Sequence, residues 1–131
     1  MIIGIDYGKR KVGIATAESP LAEPHSVIRV TNFDDAVSKV VQLVEKLLPE
    51  KIVIGLSEGE MAKESRRFGN VIEQLTKIQV LFADETLTSW EAQQKSIEAG
   101  KGKKKRKEME DAYAAAVMLQ NYLDNNDTIN I

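Results

Sequence analysis

Apolar residues along the chain fall into short runs and helical stripes that alternate in type. Ile2 to Ile5 and Val12 to Ala17 flank the polar, glycine-containing turn Tyr7-Gly8-Lys9-Arg10-Lys11, which is how a β-hairpin is written. Glu18 to Pro24 is polar and proline-containing and predicts a loop, and Ser26 to Val30 predicts a third strand. Asn32 can cap a helix whose first turn carries Asp34 and Asp35, where the helix dipole favours acids. Phe33, Ala36, Val37, Val40, Val41, Val44, Leu47 and Leu48 follow at helical spacing until Pro49 stops the helix.

Lys51 to Leu56 (KIVIGL) is a continuous apolar run of strand length, the pattern of a strand buried on both faces of a partly parallel sheet. The loop Ser57-Glu58-Gly59-Glu60 leads into a second helix with Phe68, Val71, Ile72 and Leu75 inward. Gln79 to Ala83 reads as a fifth strand ending in Asp84-Glu85. Thr88 to Glu91 matches a capping box that opens a helix, with Gly100 placed to end it. A basic loop or frayed helix start precedes a long alanine-rich helix over Glu108 to Leu123. This order predicts an α/β domain: three meandering strands, then two strands joined by right-handed crossovers, so that strands one, four and five lie side by side.

With 131 residues the chain has the size of one domain. It shows neither a membrane-length apolar run nor a leader, so a soluble, cytoplasmic protein with no membrane partner is expected. The absence of cysteine excludes a thiolate nucleophile and a cysteine zinc site, and the single His25, beside Pro24, reads as a surface residue. A net charge of −2 conceals an uneven distribution. Residues 101–107 (KGKKKRK) hold six of the eighteen Lys and Arg; without them twelve cations face twenty acids, a balance of −8. Such a chain attracts a polyanion at one place, unless the run is merely a solvated loop.

The candidate chemistry is carried by acids. Asp6 stands where a β-branched strand runs out into a turn with three consecutive cations, Lys9, Arg10 and Lys11. Either it caps its own turn or a bound cation compensates it, and only acids elsewhere decide. Asp6, Glu58 and the pair Asp84 and Glu85 all occupy carboxyl ends of strands, the edge where ligands of open α/β sheets collect. Asp111 opens the nearly all-apolar stretch DAYAAAVML and shares a helical stripe with Ala115 and Met118. The alanines around it let that helix approach the sheet closely. Acids from several segments without histidine or cysteine make an all-oxygen site, suited to magnesium or manganese. Two such ions about 4 Å apart serve phosphodiester hydrolysis. Lys63, Arg66 and Arg67 add cations on the first turns of the second helix.

The segments GIDYGKRKVGIA, KIVIGL, DETLTSWEA and KKKRKEMEDAYAAAVMLQNYL are collinear and together resemble the YqgF family of RNase H-like proteins over nearly the whole chain. Members are described as Holliday-junction resolvases and as nucleases maturing the 5′ end of pre-16S ribosomal RNA. The resemblance implies an RNase H-like fold with a mixed five-stranded sheet and catalytic, metal-holding acids at Asp6, Asp84, Glu85 and Asp111. A nucleic-acid surface is expected from Lys9, Arg10, Lys11, Arg66, Arg67, Lys103, Lys104, Lys105, Arg106 and Lys107. The middle motif departs from the family in carrying Ser57-Glu58-Gly59 in place of a proline and a longer loop, and Glu58 is read as a surface acid. Thr86 replaces the arginine of the usual DER, a phosphate contact that Arg66 or Arg67 is then expected to supply.

The function expected is therefore a divalent-metal-dependent endonuclease acting on structured nucleic acid, RNA in preference to branched DNA, as a monomer or homodimer. A Holliday-junction resolvase and a non-cleaving nucleic-acid-binding relative are the alternatives. An actin-like ATPase also has a hairpin of the GIDYG type, but it needs two such domains.

Overall fold

The structure, a computed structural model, describes residues 1–84 and 103–129, with the side chains of the last helix from 108 to 125. Five strands and three helices are described: β1 (Ile2–Tyr7), β2 (Lys11–Ala17), β3 (Glu23–Arg29), α1 (Phe33–Leu47), β4 (Lys51–Leu56), α2 (Glu60–Thr76), β5 (Gln79–Asp84) and α3 (Lys103–Ile129). The sheet order is β3-β2-β1-β4-β5. β1, β2 and β3 pair antiparallel, while β1, β4 and β5 are parallel, as the crossover argument requires. Thr86, the helix expected between Thr88 and Gly100, and Glu85 lie outside the described residues.

Strand alternation divides the sheet into two faces. Ile3, Ile5, Tyr7, Val12, Ile14, Ile52 and Ile54 point one way and form a core with α1 and α2, closed by Val40, Val44, Phe68 and Ile72. Ala15, Ala17 and Val53 point the other way, against Ala115, Ala116, Met118 and Leu119 of α3. The first face is built of branched and aromatic side chains and the second of small ones. The difference fixes how near each helix comes.

Several expectations shift by a few residues for clear reasons. β3 begins at Glu23, earlier than the apolar run, and takes in Pro24; it is an edge strand, where a residue without an N–H is tolerated. Its register with β2 slips between Ile14 and Ala15. β1 runs through Asp6 and Tyr7, which the polar turn had concealed. Leu48 is not inward but the left-handed cap of α1 (φ 51°), its N–H donating to the Val44 carbonyl at 2.8 Å, and is 75% exposed. Leu75 is likewise 58% exposed near the end of α2. Of the two readings of the basic segment, loop or helix start, the second holds from Lys103, where its backbone forms the first turns of α3.

Candidate active site

The carboxyl ends of β1, β4 and β5 form one edge, and the backbone approach of α3 decides what lies over it. Asp6 pairs across the ladder with Gly13. Above Gly13 lies α3: a Cβ there would run into the Asp111 carbonyl and come 2.9 Å from the Ala112 nitrogen. Farther along, a Cβ on Gly4 would come 2.9 Å from the Leu119 Cβ and 3.3 Å from the Ala115 carbonyl oxygen. These two glycines, one on each of two neighbouring strands, form a trough in which α3 is seated. Asp111 is thereby held over the strand beside Asp6, about one strand spacing of 4.8 Å away in the sheet plane.

The Asp111 carboxyl is half-buried, and burial pushes its pKa above the ordinary carboxylate value; Lys11 opposes that shift and Glu110 adds to it. Lys11 shares a strand and a face with Gly13, and it is the residue of the basic turn whose charge acts on Asp111. From Ala112 to Leu119 α3 is buried all round, as its composition predicts.

Asp84 is placed differently. It ends β5, two strands from Asp6, and pairs with Leu56. Val80 and Phe82 pack in the α1/α2 core while Ala83 packs on the α3 side, so alternation carries Asp84 to the face opposite Asp6 and Asp111. Among the described residues no three acids stand close enough together to hold a metal ion. Glu58 is exposed, in keeping with its reading as a surface acid, and His25 is exposed with Nδ1 2.9 Å from the Ser26 hydroxyl.

The remaining cations divide between the faces. The Arg66 guanidinium lies 5.5 Å from the Phe82 ring centroid and that of Arg67 4.2 Å from Phe33, both on the α1/α2 side. Neither stands beside Asp6 and Asp111, so the expected replacement for the motif arginine is not realised at that face. The side chains of Lys103, Lys104, Lys105, Arg106 and Lys107 lie outside the described residues.

A second cluster, which sequence reasoning missed, stands at the end of β1. Tyr7 stacks on Phe68 (centroids 4.5 Å, 27° between planes) and meets Phe33 edge-on at 6.4 Å. Its hydroxyl bonds to Glu64, and its pKa is pushed up to about 12, by burial first and by the Glu64 carboxylate second, against the opposing Arg67. Tyr7 reads as a turn residue in the polar stretch, and only its alternation with Ile3 and Ile5 signals an inward ring.

A mixed sheet with this order, two helices on one face and a closely seated helix on the other, is the RNase H-like fold of the resolvases. The structure superposes on Thermus thermophilus RuvC in complex with a Holliday junction substrate with a TM-score of 0.61 at 14% identity, covering 95% of this chain and 94% of that one. For the fowlpox virus resolvase bound to Holliday junction DNA the TM-score is 0.62 at 12% identity, covering 95% and 97%. Residues 1–125 match the model of the family described as "RuvX: Holliday junction resolvase", and the chain belongs to that family. A protein of Dechloromonas aromatica (strain RCB) named "Putative pre-16S rRNA nuclease" is 32% identical over 131 residues, covering 94% of this chain and 90% of that protein. One of the same name from Syntrophomonas wolfei is 35% identical over 132 residues, covering 94% and 93%. The class is that of the nucleases, hydrolases of phosphodiester bonds.

Proposed function

We propose that this chain is a divalent-metal-dependent endonuclease that cleaves structured RNA, processing the 5′ end of the precursor of 16S ribosomal RNA in the cytoplasm. The observation that carries the reading is the seating of the Asp111 backbone over Gly13, directly beside Asp6. It brings together two acids separated by most of the chain on the edge where this fold class collects its ligands. The name shared by relatives aligned over nearly their whole length favours the ribosomal precursor over a four-way junction.

The donor set fits hard ions in kind, since both acids offer oxygen, and the half-buried Asp111 carboxyl is of a sort that a nearby cation stabilises. Asp6 and Asp111 would hold magnesium or manganese, two ions in the full site. Glu85, rather than Asp84, would supply the third-motif carboxylate, because β5 alternation directs Asp84 to the other face. When bound, such ions activate water and stabilise the leaving oxygen. The chain's own contribution is placement: β1 fixes Asp6, the glycine trough fixes Asp111, and Lys11 lies near enough to meet a substrate phosphate. The lysine-rich start of α3, Lys103 to Lys107, would add backbone contacts.

The test is cleavage of precursor 16S RNA and of a synthetic four-way junction by one preparation in magnesium, alongside Asp6→Asn. Processing of the RNA by wild type and none by the variant supports the reading. Equal cleavage by Asp6→Asn removes the role given to Asp6, and cleavage of the junction alone makes the protein a resolvase.

A further inference from the structure

On the α1/α2 side of the same sheet edge lies an open trough that the acid site does not use. It consists of two adjoining cavities of about 490 and 510 Å³ that share Lys9 and Glu64. The first reaches past Arg10 to Asn32 at the head of α1, and the second runs along the first turns of α2 past Lys63 and Arg67. Four cations thus face two carboxylates, Glu60 and Glu64. Both carboxylates are engaged locally: Glu60 pairs with Lys63 at 3.3 Å and Glu64 bonds to the Tyr7 hydroxyl. Among the described residues Lys9, Arg10 and Arg67 make no ion pair. Arg67 is instead laid over the Phe33 ring, which orients its plane without neutralising its charge.

We propose that this trough takes a single-stranded flank of the RNA that leaves the acid edge, a proposal that rests on the nuclease reading above. Asp6 and Tyr7 are consecutive in β1 and point to opposite faces, so the trough begins on the reverse side of the strand from the acid site. Passing from one face to the other means turning around the end of a single strand. A duplex, stiff over about 150 base pairs, does not fold around such an edge. A single strand does. Lys9 and Arg10, on the turn between the faces, meet its phosphates as it crosses, and the Arg67 plane offers a surface for a phosphate or a stacked base.

Binding of fluorescein-labelled RNA hairpins with and without a single-stranded extension, at 5′ and 3′ ends separately and in calcium to suppress turnover, tests this directly. Wild type is expected to bind one extended hairpin about tenfold more tightly than the blunt one, with a steeper salt dependence. Arg10→Ala/Arg67→Ala should bind both alike, its salt slope on the extended hairpin lowered by roughly two. Arg10→Lys/Arg67→Lys, which keeps the charges, should retain most of the increment and serves as the folding control. An equal affinity of wild type for extended and blunt hairpins overturns the proposal, as does an alanine variant that loses the same factor on both. Cleavage of the hairpins in magnesium reads the nuclease assignment separately: an increment without cleavage sinks that assignment and leaves the strand contact standing.

Discussion

The Asp111 carbonyl occupies the space that a side chain on Gly13 would need, so one missing methyl group lets the last helix settle beside Asp6. Gly13→Ala sets a Cβ against backbone, which cannot rotate away. The variant is expected to lose at least about 1–3 kcal/mol of stability in urea denaturation, and to lose cleavage under conditions where it remains folded. A stable, fully active Gly13→Ala would mean that the seating of α3 does not position Asp111.

Asp111 itself should be a stability liability when no ion is bound. Burial holds its folded pKa above the ordinary value, so the folded state keeps its proton to higher pH than the unfolded chain. The resulting contribution is fully present below the unfolded pKa and is lost as pH rises through the folded one. At neutral pH the ionised group is penalised in the fold, and Asp111→Asn is expected to raise Tm in the presence of chelator. That gain should vanish below about pH 4, where both states are protonated. A lower Tm for Asp111→Asn at pH 7 would show that attraction to Lys11 outweighs desolvation.

Tyr7 links the end of β1 to α2 through Phe68 and Glu64. Tyr7→Phe keeps the ring stack and loses the hydrogen bond, at an expected cost of about 0.5–1.5 kcal/mol at pH 7. Because the folded pKa is raised to about 12, the phenol's contribution is complete below its ordinary value near 10 and is lost as pH rises towards 12. The difference in phenolate absorbance between wild type and Tyr7→Phe should show a late titration, and a midpoint near 10 would contradict the buried pairing. Phe68→Ala, which empties the fully buried partner, should cost about 3–5 kcal/mol.

Gln120 ties the β2–β3 connection to α3. Its Oε1 accepts from the Ala22 N–H at 2.8 Å, and its Nε2 donates to the Pro20 carbonyl at 2.8 Å and to Asp124 Oδ1 at 3.0 Å. Gln120→Ala is expected to cost about 1–3 kcal/mol and to open residues 18–22 to limited proteolysis. Unchanged cleavage in that segment would show that the strands alone hold it.

At the head of α1, Asn32 Oδ1 accepts from the Asp35 N–H at 2.8 Å, and Asp35 Oδ2 accepts from the Thr31 N–H at 2.9 Å. Asn32→Ala should lower stability by about 1 kcal/mol in chemical denaturation. The Thr31 N–H and Lys39 hold the Asp35 carboxyl below its ordinary pKa, so the Asp35 contribution is present at neutral pH and is lost as pH falls through that lowered value. The stability difference between wild type and Asp35→Asn should therefore shrink in acid.

Much of this architecture is legible in the chain because the sheet is buried on both faces. The run from Ile52 to Leu56 is free of polar side chains and lies within β4 between β1 and β5, and the stripe from Phe33 to Val44 turns inward as α1. The lapses occur where tertiary context overrides local pattern. Pro24 is acceptable only because β3 is an edge, Leu48 is apolar yet caps a helix, and Tyr7 borders a polar stretch of sequence yet ends a strand and is buried. The alanines of α3 announce a close approach, but its other half, Gly4 and Gly13, is silent until the strands are paired.

By itself the sequence determined the order of the described strands and helices, the family, and which acids are candidates for a site, because hydrophobic period and residue type are local properties. Only the tertiary structure decided which of those groups share a face. Alternation sends Asp6 and Lys11 to the side of Asp111 and Asp84 to the reverse, where Arg67 of α2 lies over Phe33, and that sorting depends on strand register and helix seating, which no single stretch of chain specifies.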